Sequence, residues 1–189
     1  MKIITYYWGD DILSEKIKNE VLEWIKVFAL AIIFAFIITQ FIKPTLVRGD
    51  SMYSTLEEGD YLIINRMSYK LGDIERGDII VFESDLQQED GTNKDLVKRV
   101  IGIGGDKVKI KDSKVYVNGK KLNEPYIHNE VTSGDVDTVV PENCVFVLGD
   151  NREISLDSRY KEVGFINKSD ILGKVFVRLY PFNKIGLLD

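Results

Sequence analysis

Apolar and polar positions divide this chain into two unequal parts. From Val27 to Ile42 no residue carries a charge. As a helix those residues rise about 24 Å, and about 33 Å if the helix starts at Val21. A bilayer core is about 30 Å thick. The run is apolar on every side for four turns, whereas a core helix of a globular domain keeps a polar face. Glu23 and Lys26, spaced i,i+3, close its first end as a neutralising pair, and Lys43 and Pro44 end it. The segment after it offers no small-x-small site, which disfavours a cleaved leader. The pattern predicts a retained membrane-spanning helix over 21–43, preceded by a short lead-in, 1–20, with some helix.

Beyond residue 44 the period changes. "DYLIINRM", "GDIIVFES", "DLVKRVIGI", "DKVKIKDSKVYVNGKKL", "CVFVLGD" and "GKVFVRLYPF" are short runs rich in Val, Ile, Phe and Tyr, separated by turn formers. Asn118-Gly119 is a two-residue hairpin signal. A helical period is absent after residue 60, apart from a turn near 167–173. The fold class expected is mainly β: one N-terminal transmembrane helix, then an antiparallel β domain over 44–189 with a hairpin-rich insertion at about 106–141.

Composition removes several functions. A net charge of −5 without a basic stripe argues against nucleic acid as a partner. Cys144 is the only cysteine, so no intramolecular disulfide forms, and it reads as a small buried hydrophobe. With His128 the only histidine, a zinc site of Cys and His ligands has no ligand set, and no metal is expected. Lys2, Lys16 and Lys18 precede the apolar run, and Lys43 and Arg48 follow it, a slight bias toward an inside N-terminus.

Four polar stretches are unusual for a plain β domain: "RGDSMYSTL" with Ser51, "RGDIIVF" at 76–82, "KRVIGIGGD" at 98–106, and "LGDNREISLDSR" at 148–159. Each has an ordinary reading as a turn. "GIGGD" precedes a strand pattern, not the helix a dinucleotide loop requires. The S-x-x-K spacing from Ser158 to Lys161 lacks its partner motifs. A nucleophilic Ser51 needs a base, and His128 stands in a polar loop segment. Lys98 lies in an apolar strand pattern and shares a face with Leu96 and Val100, so alternation points it inward and Arg99 outward. A lysine acts as a base only if burial lowers its pKa by about 2–3 units. Taken alone, a surface strand lysine remains the ordinary reading.

In order and content the four stretches resemble the type I signal peptidase family, membrane-anchored serine proteases with a Ser–Lys dyad. Gly49 to Leu56 resembles the family's G-x-S-M-x-P-T-L, and Arg76 to Phe82 its R-G-D strand. Lys98 to Asp106 resembles K-R-hydrophobic-x-G-x-P-G-D, and Gly149 to Arg159 resembles G-D-N-R-x-x-S-x-D-S-R. The likeness covers about 20–178 and is of the short form common in Gram-positive bacteria. Two positions depart from it: Ser54 and Gly104 stand where the family has proline, which is expected to loosen both loops.

The resemblance implies that Ser51 is the nucleophile and Lys98 its general base, with Ser155 orienting the lysine. Asp157 and Arg159 would form a supporting ion pair, and Asp150, Asn151 and Arg152 would shape the turn. Val47, Met52, Leu56 and Val97 would line a shallow pocket for the small residues at −1 and −3 of a signal peptide. The substrate would lie extended, as an added strand, between the segment before Ser51 and the strand leading to Lys98. No cofactor is implied. The expected partners are preprotein signal peptides and membrane lipid, and the expected oligomeric state is a monomer. The expected location is the cell membrane, with the N-terminus cytoplasmic and the β domain extracytoplasmic. Two other readings compete: a peptidase with few substrates, and a catalytically silent binding or assembly module.

Overall fold

The computed structural model describes residues 8–127 and 131–188. His128 therefore lies outside the described residues. Two compact units divide between Phe41 and Ile42. The first is a helix, α1 (Trp8–Phe41). Its Glu15–Phe41 stretch, which holds an 18-residue window of mean hydropathy 2.4, is long and apolar enough to cross a membrane. The helix runs without a break from Trp8 through the described part of the lead-in and ends two residues before the sequence pattern places its end. Glu23 and Lys26 meet at 2.8 Å on its exposed surface.

The second unit is antiparallel β throughout. Its elements in chain order are β1 (Ile42–Leu46), β2 (Tyr61–Asn65), a one-turn helix α2 (Ser68–Leu71), β3 (Ile79–Gln87), β4 (Asn93–Ile103), β5 (Lys107–Lys111), β6 (Lys114–Val117), β7 (Lys120–Lys121), β8 (Val136–Val139), β9 (Cys144–Leu148), β10 (Ile166–Asn167), β11 (Ile171–Tyr180) and β12 (Gly186–Leu187). Eight strands form one sheet in the order β1-β2-β11-β3-β4-β9-β10, with β12 on β11; β7-β6-β5-β8 form a second sheet. Every run of Val, Ile, Phe and Tyr singled out in the sequence contributes a strand. The structure adds β1, β8, β10, β12 and α2, which are short or polar and carry little periodic signal.

In the second sheet, Val117 and Lys120 flank Asn118 and Gly119, both at positive φ, the backbone of a tight hairpin turn. Asp112 and Ser113 build a second such turn, with φ of 51° and 61°. Aspartate tolerates this region better than most residues, but without glycine the signal is weak.

Three apolar clusters make the core. Val47, Met52, Leu56, Leu62, Ile64, Ile79, Val81 and Val175 form the first. Ile80, Phe82, Leu96, Val100, Val145 and Val147 lie in the second, and Ile101, Val108, Ile110, Val115, Phe146 and Leu148 in the third. β4 contributes to all of them, since Val97 packs on the first. Both of its faces are therefore covered. That explains why Arg99, expected to point outward, is buried at 4% exposure beside Lys98 at 2%.

Among the described residues, the strand edges left open include those of β1 and of the first half of β4. β1 pairs only with β2, and the first half of β4, Asn93–Lys98, pairs only with β3 because β9 covers Arg99–Ile103. The two strands approach each other: Lys43 Nζ lies 3.2 Å from Asp95 Oδ2.

Candidate active site

Residues 47–60 connect β1 to β2 in a series of turns. Leu56 and Met52 are apolar anchors of that loop, 0% and 1% exposed in the first cluster. With those side chains fixed in the core, Ser51 is carried at its half-buried surface. Val47 is buried too, and only Val97 of the four expected pocket residues is partly open. Val47, Met52 and Leu56 are thus buried side chains of the first cluster.

Lys98 Nζ donates to Ser51 Oγ at 2.7 Å and to the Val97 carbonyl at 2.9 Å. Burial pushes the amine down from the ordinary lysine range to about 8, while Asp157 and Asp150 pull the other way. Desolvation wins because it disfavours the charged form at a site with little water. Near pH 8 about half of the amine is neutral and carries a lone pair.

The segment after β9 wraps around this pair. Asn151 N donates to the Ser51 carbonyl at 3.0 Å. Asp150 accepts from Thr55 Oγ1 at 2.5 Å and from Arg99 Nε and Nη2 at 2.9 and 2.8 Å. Arg159 and Asp157, 3% and 0% exposed, form an ion pair at 2.8 Å, and Asp157 also accepts from the Gly149 N–H. Arg152 does more than shape the turn. It donates to the Gly149 carbonyl at 3.0 Å, to Thr132 Oγ1 and to Glu124. Gly149 has no room for a Cβ, which would collide with Ser155 Oγ and the Ser51 carbonyl.

Ser155 differs from expectation. It makes no hydrogen bond to Lys98. Its Oγ is buried without a partner, the lysine having turned to Ser51 and its own strand's carbonyl. Gly104 differs as well. Its φ is not in the left-handed region, and a Cβ there would strike the Glu142 backbone. The glycine provides clearance between two chain segments rather than a looser loop. Ser54 is exposed on its turn. Cys144 is a half-buried free thiol.

Sequence reasoning missed Arg99 and Thr55, which bind both oxygens of Asp150, and Tyr126, whose ring lies 4.0 Å from the Arg99 guanidinium. Arg99 follows Lys98 in the quoted motif, and that adjacency was the available signal. Nothing local marks Thr55 or Tyr126. The described residues hold no cluster of His, Cys, Asp or Glu arranged to bind a metal ion.

A membrane-type helix, an antiparallel β unit and a serine–lysine contact beneath a polar turn define the class. The chain belongs to the signal peptidase, peptidase S26 family, whose model matches residues 21–180. It is a peptidase of that family, and its apolar N-terminal helix marks it as membrane-anchored. Among its relatives, signal peptidase IB of Staphylococcus aureus (strain COL) is 40% identical over 186 residues, covering 88% of this chain and 93% of the relative. Signal peptidase I of Bacillus licheniformis is 38% identical over 183 residues, covering 91% and 95%. A crystal structure of a signal peptidase I from Enterococcus faecalis V583 is similar over 54% of this chain and 96% of its own, with 34% identity and a TM-score of 0.45.

Proposed function

We propose that this chain is a type I signal peptidase, an endopeptidase that removes signal peptides from exported preproteins with Ser51 as nucleophile and Lys98 as general base. The observation that carries the reading is the 2.7 Å contact between Ser51 Oγ and a buried Lys98 amine. With the amine neutral, the contact reverses direction: the Ser51 hydroxyl donates to the Nζ lone pair. As Oγ attacks the scissile carbonyl, its proton passes to Nζ, and the backbone N–H of Ser51 holds the developing oxyanion. The ammonium then gives its proton to the leaving amine of the mature protein. Water, deprotonated by the same lysine, cleaves the acyl-enzyme and frees the signal peptide.

The open edges of β1 and of Asn93–Lys98 support binding of the substrate as an added strand. Backbone pairing of that kind places alternate side chains, −1 and −3, on one face. The buried floor of Val47, Met52 and Leu56 leaves little depth there, which favours Ala or Gly. We place the N-terminus in the cytoplasm and the β unit outside, because processed signal peptides emerge on that side.

The test is cleavage of a preprotein with Ala at −1 and −3 by the full chain in detergent micelles. The unaltered chain releases the mature protein with the expected new N-terminus; Ser51→Ala and Lys98→Ala do not. Activity surviving Lys98→Ala overturns the dyad, and a chain that cleaves no preprotein overturns the peptidase assignment of this site.

A further inference from the structure

Behind the dyad, a turn from the second sheet reaches the polar scaffold. Leu122 leaves β7, its N–H bonded to the Val115 carbonyl at 2.9 Å and its side chain packed on the third cluster. The turn that follows, closed by Ile127 N on the Glu124 carbonyl at 3.3 Å, presents two side chains. Glu124 pairs with Arg152. Tyr126 lays its ring over Arg99.

Arg99 has its in-plane donors committed. Nε and Nη2 grip Asp150, and Nη1 donates to the Gly77 carbonyl at 2.9 Å. A planar guanidinium bound at its edge leaves its faces for stacking, and a desolvated aromatic face is the group that holds it without competing for those donors. The chain of contacts continues from Asp150 to Thr55, four residues past the nucleophile, and from Asn151 to the Ser51 carbonyl. We propose, on the basis of the dyad reading above, that Tyr126 is a positioning residue for the reaction: its ring clamps Arg99 against Asp150 and thereby fixes the carboxylate that anchors the nucleophile loop and faces the base.

The charges around Lys98 say what loss of the clamp does. Asp157 and Asp150, both from the segment after β9, favour the ammonium; Lys94, on the same strand, opposes it. Arg159 compensates Asp157, Arg99 compensates Asp150, and Arg152 is occupied by Glu124. Without the ring, water and motion reach Arg99, its compensation of Asp150 weakens, and the ammonium gains. The Tyr126 hydroxyl is itself held far above its ordinary pKa by burial and by Glu124, so it stays neutral and does not titrate in the working range. Its contact to Glu124 is long, at 3.2 Å, and the ring face is the functional part.

The experiment measures kcat and KM for preprotein cleavage between about pH 6 and 10, on the full chain in micelles, with thermal melts of each variant. Tyr126→Phe keeps the ring and stays within about twofold of the unaltered chain. Tyr126→Met keeps apolar bulk without a π face; its kcat falls about tenfold, the scale of a desolvated cation–π contact. Its KM changes little, and the midpoint of the acid limb moves to higher pH. Tyr126→Leu is read the same way and replaces Tyr126→Met if that variant does not fold. An unchanged kcat and limb in Tyr126→Met with an active unaltered chain overturn this inference alone. So does an equal loss in Tyr126→Phe, which would assign the effect to the hydroxyl, or a loss matched by the unfolded fraction with the limb unmoved. If the unaltered chain cleaves nothing, the peptidase reading falls and this inference with it.

Discussion

Lys98 Nζ lies 2.7 Å from Ser51 Oγ although 47 positions separate the two residues. The loop after β1 and the middle of β4 meet because Met52, Leu56 and Val97 share one apolar cluster. The contact is a by-product of core packing, and the lowered pKa of Lys98 follows from the burial that packing imposes.

The pH dependence follows from the direction of the Lys98 shift. As the proposed base, Lys98 works only when neutral, and burial brings its pKa down to about 8. Cleavage therefore rises about tenfold per pH unit below that value and levels off above it. A rate profile in micelles checks this; a plateau already reached near pH 6 contradicts it.

Burying this amine also costs stability. Below pH 8 the lysine is charged in both folded and unfolded chains, and the full cost is present. Between about 8 and 10.5 the unfolded chain binds more protons, so stability rises with pH there. The shift corresponds to roughly 3 kcal/mol, offset by hydrogen bonds of about 1 kcal/mol each. Lys98→Met is expected to be inactive yet about 1–3 kcal/mol more stable at pH 7. Denaturant titration at pH 7 and pH 10 measures it, and the gain shrinks at the higher pH.

Ser155 carries a buried hydroxyl with no partner in the resting site. Removing it frees the fold of an unsatisfied group, so Ser155→Ala leaves stability unchanged or raised by about 1 kcal/mol. We expect kcat nonetheless to fall about tenfold or more, because the hydroxyl receives Nζ once proton transfer has taken the lysine off Ser51. A melt beside a rate measurement separates the two effects; a purely packing residue would move neither rate nor pH profile.

Asp150 is 0% exposed at its side chain and Arg99 5%, and their pair closes at 2.8 Å. Asp150→Ala leaves the guanidinium buried and uncompensated, which costs about 3–5 kcal/mol. Replacing both partners with apolar residues costs less, since no orphan charge remains. Unfolding curves of the single and double variants decide between these values.

Much of this was written in the sequence. An apolar run that reaches bilayer length when taken from Val21 predicts the membrane-spanning part of α1 by itself, since helix rise and bilayer thickness are fixed lengths. The β-rich character of the rest, the Asn118-Gly119 hairpin and the four motif stretches are equally local, because alternation and turn chemistry act over a few residues. Tertiary structure alone decided the rest. Arg99 looked outward by alternation but is buried, because β4 is covered on both faces. Met52 and Leu56 are buried through the packing of their cluster. Tyr126 reaches Arg99 from the turn after the second sheet, and Lys98 donates to Ser51 and the Val97 carbonyl while the Ser155 hydroxyl has no partner. Each of these depends on which segments meet in space, and on the desolvation that meeting brings, which no spacing along one chain encodes.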